Sequence, residues 1–219
     1  MKVFIVIPSY NESKRIDKVL TGLKDFSVSI IVVDDGSRDS TFEQAKKHHV
    51  LVLRHRVNLG KGAAIKTGCE AAILMGADAI VLMDSDGQHK AEDLPKFLEN
   101  IQSGKFDVVF GSRHMNLGIP LVRYIGNKFA SVLISVLYRV YISDLICGYR
   151  AITKKAYIQM NLKSSDYGIE TEMVIKTAKL KLRYCEIPVE VIYYDKFKGV
   201  TILDAFGVLL KVIKWRIYK

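Results

Sequence analysis

Residues 2–37 read KVFIVIPSYNESKRIDKVLTGLKDFSVSIIVVDDGS. Two short β-branched runs, 2–7 and 29–33, flank a stretch, 12–24, that reads as a helix. Strands this continuously apolar are the kind buried on both faces, as in a parallel sheet. Each run ends in a polar cluster, PSYNE at 8–12 and DDGS at 34–37.

The same alternation continues outward. Residues 40–48 read as helix, 50–53 as strand, 62–75 as helix, 79–83 as strand, 94–102 as helix and 107–110 as strand. Short strands separated by helices predict a doubly wound, mostly parallel α/β sheet. In such sheets ligands bind beyond the carboxyl ends of the strands. There the polar clusters recur: DSDGQH at 84–89 and GSR at 111–113 follow later strands. The second half is less regular. Residues 123–142 predict an apolar helix carrying Asn127, Ser131, Ser135 and Arg139 at four-residue steps, which marks one polar face. Helices over 171–180 and 202–218 and a strand over 183–193 complete the pattern, with no internal repeat or linker.

A chain of 219 residues favours one domain with a substantial core. The net charge of +10 points to an anionic partner: nucleotide, phospholipid surface or nucleic acid. Nucleic acid is disfavoured, because the basic residues lack the aromatic interleaving of binding modules and the acidic motifs repel phosphate. Cys69, Cys147 and Cys185 are odd in number and widely spaced, which argues against a zinc site or disulfide framework and fits a reducing compartment. The apolar start lacks a small-residue cleavage site and predicts a buried first strand, not a signal peptide. No uninterrupted apolar run reaches about 18 residues, so no spanning helix is expected.

Asp84 and Asp86 follow an apolar strand, and strand alternation brings both carboxylates to one site with Ser85 facing away. Two such carboxylates repel and need a cation or a proton. Mg²⁺ or Mn²⁺ satisfies them and typically shares oxygen ligands with a substrate phosphate. Gln88 and His89 extend the shell, while a helix-capping acidic turn is the plainer alternative. Gly36 allows a tight turn beside Asp35, a carboxylate suited to a ribose hydroxyl or base N–H. Asn58-Leu59-Gly60-Lys61-Gly62 precedes a helix and presents backbone N–H groups or Lys61 to phosphate. It is neither a Walker motif nor a dinucleotide fingerprint.

Together PSYNE, DDGS with Asp39 and Thr41, NLGKGAA at 58–64, DSDGQH, GSR, DLICGYRAI at 144–152 and GIETEM at 168–173 occur in an order that resembles family 2 glycosyltransferases of the GT-A fold. The likeness is greatest to the dolichyl- or polyprenyl-phosphate mannose or glucose synthases and runs from Val3 to about residue 192. It implies one GT-A domain: a nucleotide-sugar-binding part over 1–115, an acceptor-side extension over 116–200 and an amphipathic helix over 201–219. It implies a GDP- or UDP-hexose donor, held by Pro8, Tyr10, Glu12, Asp35, Lys61, Asp84 and Ser85. Asp84, Asp86 and Gln88 would hold Mg²⁺ or Mn²⁺ on the diphosphate. Asp86, Arg113, Glu170 and Glu172 form the implied catalytic set, with Arg113 facing phosphate and the glutamates near sugar or acceptor. A solvated helix face is the plain reading of Glu172, and a core role for Tyr149 competes with a substrate role. His48, His49, His55 and His114 match no motif and are expected at the surface.

The implied reaction displaces a nucleoside diphosphate from the anomeric carbon with inversion. A lipid-phosphate acceptor is already anionic and needs no strong base, whereas a sugar hydroxyl needs a carboxylate to take its proton. Arg113, Arg123, Lys128 and Ser131 form the implied grip on a polyprenyl or dolichyl phosphate. The segment Lys196-Phe-Lys-Gly199-Val-Thr201 departs from the R-x-x-G-x-S of this branch, keeping charge but losing the bidentate geometry of arginine. From Lys196 to Lys219 there are six basic residues and one acid, with Trp215 and Tyr218. Such a helix suits an anionic membrane surface or packs on the protein's own core. The expected location is the cytoplasmic face of a membrane, peripherally, alone or with a membrane-anchoring partner.

Overall fold

A computed structural model describes residues 1–113, 121–191 and Val212, with the side chains of 121–125 excluded. The chain runs β1 (Val3–Ser9), α1 (Ile16–Leu23), β2 (Ser29–Asp34), α2 (Thr41–Ala45), β3 (Leu51–Arg54), α3 (Lys61–Leu74) and β4 (Ala79–Leu82). It continues through a 3-10 turn (Ala91–Asp93), α4 (Leu94–Gln102), β5 (Val108–Arg113), α5 (Leu121–Tyr138), β6 (Arg150–Thr153), α6 (Lys154–Met160), α7 (Gly168–Lys179) and β7 (Tyr184–Val189). The strands form one sheet in the order β3-β2-β1-β4-β6-β5-β7. β6 runs antiparallel to both neighbours, and every other pairing between the described strands is parallel. The expected mixed α/β, mostly parallel sheet is what the chain forms.

Alternation along β1 divides the core between the two faces of the sheet. Phe4 and Val6 join a cluster with Ala64, Ile65 and Cys69 of α3, while Val3, Ile5 and Ile7 pack with Ile16, Val19, Leu20 and Leu23 of α1. Those four α1 side chains are buried, and burial of such groups is worth about 1.5–3 kcal/mol each. Gly68 lets α3 lie close on β1: a Cβ there would stand 2.4 Å from a Val6 methyl. This packing fixes the carboxyl ends of β1, β2 and β4 beside the start of α3.

Several expected elements differ in detail. The first helix begins at Ile16 rather than residue 12, because Asn11 has φ +55° and Glu12–Arg15 forms a turn closed by Arg15 N–H on the Glu12 carbonyl. The strand before Asp84 ends at Leu82, so Asp84-Ser85-Asp86 lies in a turn and strand alternation does not organise it. β6 and α6 were not expected, since the motif at 144–152 carries Arg150 and little β-branched pattern. The α5 helix has its polar row turned inward: Asn127 and Ser131 are buried, while Phe129, Val132 and Val136 are exposed. The helix expected over 202–218 and the segment 196–201 lie outside the described residues, Val212 excepted. Among the described residues no helix is long and apolar enough to cross a membrane.

Candidate active site

The site forms where β4 ends against the first turn of α3 and the first turn of α7. Gly60, with φ +95°, caps α3 and leaves Lys61 as its first residue. The Lys61 ammonium lies 2.7 Å from Asp84 Oδ1 and 2.7 Å from Glu170 Oε1. It also lies over the Tyr167 ring, 5.9 Å from the centroid. His89 Nε2 is 3.5 Å from the other Asp84 oxygen. Gly148 makes room for the carboxylate, because a Cβ there would sit 2.3 Å from Asp84 Oδ2.

Charge balance shapes the cluster. Burial disfavours the Lys61 ammonium, but Asp84 and Glu170 outweigh burial and hold its pKa above the ordinary lysine range. Burial likewise opposes the charge on Asp84, yet Lys61 and His89 hold that carboxyl well below the usual carboxylate range. Asp86 moves the other way: burial, then the negative charge of Asp84, push it up. Gly87, with φ +72°, closes the turn, and the Gln88 N–H donates to Asp86 at 2.9 Å. Glu170 Oε2 is buried and has no hydrogen-bond partner among the described residues.

Those observations fit Mg²⁺ or Mn²⁺. The donors are hard carboxylate oxygens, and one of them is held against its preferred charge by another. Among the described residues no three His, Cys, Asp or Glu side chains converge as a metal cage. A site with one or two carboxylates that relies on substrate phosphates for its remaining ligands is the usual Mg²⁺ arrangement.

The DDGS turn and the glycine-rich loop are joined beside this cluster. Asp35 is buried, and its carboxylate accepts the N–H groups of Leu59 at 2.9 Å and Gly60 at 2.8 Å. Asp35 was expected to face the nucleotide, yet its oxygens hold the loop. Ser85 is buried in the Asp84–Gly87 turn. Pro8, next to the last residue of β1, lies beside Val33. Tyr10 is exposed at that strand end. Glu12 is buried and accepts a hydrogen bond from Arg15 at 3.0 Å.

The acceptor-side residues meet only in part. Arg113 gives Nε and Nη2 to Asp144 at 2.6 and 2.9 Å, so a buried aspartate engages the guanidinium that was expected to face phosphate. Burial opposes the Asp144 charge, but Arg113 outweighs it and lowers the pKa. Asn127 bridges Asp144 Oδ1 and the Leu145 N–H. The Ser131 hydroxyl is buried with no partner among the described residues, Lys128 is half-buried, and the Arg123 side chain lies outside the described residues.

Glu172 does not join Glu170. Two residues apart on a helix, their side chains take different faces. The Glu172 carboxylate instead accepts the N–H groups of Lys163 and Ser164, holding the 163–166 loop against Gly60 and Gly62. The solvated face that is the plain reading of Glu172 does not match this, because the side chain is buried. Sequence reasoning also missed Asp144, Gly148 and His55. His55 is packed against Asp35 rather than loose on the surface. The acid between α5 and β6 and the glycine of DLICGYRAI carry no local pattern that names their partners. Tyr149 is wholly buried and stacks on Phe97, a core position.

A mostly parallel sheet with a carboxylate-rich turn beyond β4, paired with a lysine at the start of α3, defines an α/β fold with a polar site at its strand ends. The comparisons agree, and the chain belongs to glycosyl transferase family 2, whose model matches residues 4–160. It is therefore a glycosyltransferase. It is 30% identical to the UDP-N-acetylglucosamine–dolichyl-phosphate N-acetylglucosaminyltransferase of Methanococcus voltae, across 99% of this chain and 97% of that one. It is 31% identical to the undecaprenyl-phosphate mannosyltransferase of Micrococcus luteus, across 86% of this chain and 83% of the relative. The fold superimposes on glucosyl-3-phosphoglycerate synthase of Mycobacterium tuberculosis in complex with Mn²⁺, uridine diphosphate and phosphoglyceric acid. The TM-score is 0.78 at 18% identity, covering 99% of this chain and 78% of that one. That likeness establishes the GT-A fold.

Proposed function

We propose that the protein transfers a hexose, mannose favoured and glucose the alternative, from a GDP- or UDP-sugar to a polyprenyl or dolichyl phosphate, with inversion. The observation that carries the reading is the joining of Lys61, Asp84 and Glu170 beside Asp86 at the carboxyl end of β4. The named substrates of the two polyprenyl-phosphate relatives support the acceptor class.

In this reading Asp84 and Asp86, with Gln88, hold Mg²⁺ or Mn²⁺. When bound, that ion neutralises charge building on the departing diphosphate. Lys61 adds a second positive charge that is fixed by its helix before the reaction starts. Pro8, Tyr10 and Glu12 line the nucleotide side, with Asp35 holding the loop that carries Lys61. Arg113, Arg123, Lys128 and Ser131 serve the acceptor phosphate. Its oxygen is anionic near neutral pH, so no side chain has to remove a proton. The exposed row Phe129, Val132 and Val136 suits contact with a lipid surface and supports a peripheral location. In this reading the enzyme works on the cytoplasmic face of a membrane, with or without an anchoring partner.

The test is a matrix of GDP-mannose, UDP-glucose and UDP-N-acetylglucosamine against polyprenyl phosphate and free polyprenol, with Mn²⁺ or EDTA. Transfer to the phosphate alone, lost in EDTA, is expected. Equal transfer to polyprenol, or transfer only to a glycan, moves the reading to a hydroxyl acceptor with Glu170 as the base.

A further inference from the structure

Outside the carboxylate cluster, His55 is held at both of its ring nitrogens. Its side chain is 11% exposed, and Nδ1 lies 2.7 Å from Asp35 Oδ1. On its other side Nε2 is 3.0 Å from the hydroxyl of Thr67, in the middle of α3. The His55 backbone N–H donates to the Asp34 carbonyl at 2.9 Å, so the ring is anchored at both ends of its own residue. An ionised Asp35 can only accept, which assigns the proton to Nδ1.

Asp35 then serves three donors at once: His55, Leu59 N–H and Gly60 N–H. The two loops it joins also touch directly, since a Cβ on Gly36 would stand 2.6 Å from the Val57 carbonyl carbon. Gly60 is followed at once by Lys61, whose ammonium bridges Asp84 and Glu170. A chain of fixed contacts therefore runs from Thr67 through His55 and Asp35 to Gly60 and ends on the cation of the donor site.

We propose that His55 is a positioning residue for the nucleotide-sugar: it fixes the rotamer of Asp35, and through the Leu59–Gly60 clamp sets where Lys61 meets the donor diphosphate. This rests on the donor-site reading given above. The side chain touches no reacting atom in this role and acts through Asp35 alone.

Two isosteres separate its two ends. His55→Asn keeps a donor near the Nδ1 position and gives up Thr67. His55→Gln reaches the Nε2 position and gives up Asp35. In hydrogen exchange on the full-length protein, His55→Gln should speed exchange of the Leu59 and Gly60 amides about tenfold or more, while His55→Asn leaves them near wild type. In calorimetry with UDP or GDP and Mn²⁺, His55→Gln should weaken binding about tenfold and His55→Asn about threefold at most. Donor KM should rise in parallel while KM for the lipid phosphate stays put. Unchanged amide exchange in His55→Gln, equal behaviour of the two variants, or a loss that follows melting temperature alone overturns the clamp. The exchange measurement needs no nucleotide, so it stands even if wild type binds neither UDP nor GDP. That second result overturns the donor role and the donor-site reading, not the clamp.

Discussion

Lys61 and Asp84 form an ion pair of 2.7 Å between the first residue of α3 and the turn after β4. The ammonium also contacts Glu170, so one cation answers two carboxylates, with a third, Asp86, close by. Such a cluster is short of positive charge, and that shortage is what a divalent ion and an incoming diphosphate can exploit.

Lys61→Met should therefore separate metal binding from donor binding. Removing the ammonium leaves Asp84 and Glu170 mutually repelling, so Mn²⁺ should bind the variant at least as tightly as wild type. Nucleoside diphosphate should bind more weakly and kcat/KM should fall by roughly 10²-fold, about 2.7 kcal/mol of transition-state stabilisation. Electron paramagnetic resonance titration of Mn²⁺ and steady-state kinetics measure the two effects. Weaker Mn²⁺ binding with unchanged donor KM would show that Lys61 supports only the carboxylates.

Asp86→Asn is expected to gain stability and lose function. The pKa of Asp86 is raised in the folded protein, by burial first and by Asp84 second. A raised carboxyl favours folding below its unfolded pKa and loses that contribution as pH rises through the folded value. At neutral pH the ionised group is therefore a cost, and the neutral amide removes it. In EDTA at pH 7 the variant should melt higher, by roughly 2–4 °C if about 1 kcal/mol is recovered. Mn²⁺ should no longer raise its melting temperature, and transfer should be abolished. Metal-free melting no higher than wild type across pH 5–8 would contradict the repulsion.

How the two aspartates come together was only half visible in the linear chain. DSDGQH follows an apolar run, and its position beyond a parallel strand was legible from IVLM alone. The strand stops at Leu82, however, and a turn through Gly87 brings the carboxylates into range. The parallel half of the sheet was legible because β1, β2 and β4 are buried on both faces and so read as unbroken apolar runs. β6 was not, because Arg150 occupies a strand and gives its guanidinium to the carbonyls of Leu145, Cys147 and Glu170. Periodicity found the polar row of α5 but cannot say which row faces inward; Asp144, distant in sequence, decides that by binding Asn127. The Lys61–Glu170 contact joins residues named separately for phosphate and acceptor, and no local pattern links them.

Arg113 and Asp144 provide a test on the acceptor side. Arg113→Ala strands a buried carboxylate and should cost about 3–5 kcal/mol of stability. Asp144 has a lowered pKa, so its contribution is present above the unfolded carboxylate range and is lost as pH falls through the folded value. The Arg113→Ala penalty should therefore shrink on acidification, as protonated Asp144 no longer needs a partner. Arg113→Lys keeps the charge but not the fork. If Arg113 also meets the acceptor phosphate, Arg113→Lys should raise the lipid KM by about tenfold with donor KM unmoved. Denaturant melts from pH 7 down to about pH 2 and paired KM measurements check both arms. A stability loss with no change in lipid KM would confine Arg113 to the Asp144 contact.

The outward face of α5 should decide how the enzyme meets its lipid. Phe129 is 63% exposed, Val132 55% and Val136 75%, and they follow one another at three- and four-residue steps along one side of the helix. The inward side of the same helix carries Asn127 and Ser131, so a headgroup held there would leave its chain near this apolar row. Replacing all three with serine removes contacts worth about 1–2 kcal/mol apiece if each side chain is half immersed. The triple variant should float with anionic vesicles at least tenfold less than wild type while melting at nearly the same temperature, since none of the three is buried. With a short, water-soluble isoprenyl phosphate as acceptor, its kcat/KM should match wild type. With long-chain polyprenyl phosphate in vesicles, it should fall in step with flotation. Retained flotation and long-chain activity would assign the row no part in membrane contact and leave the segment 196–219 to carry it. A loss with the soluble acceptor as well would instead mean that the substitutions disturb the acceptor site through Asn127.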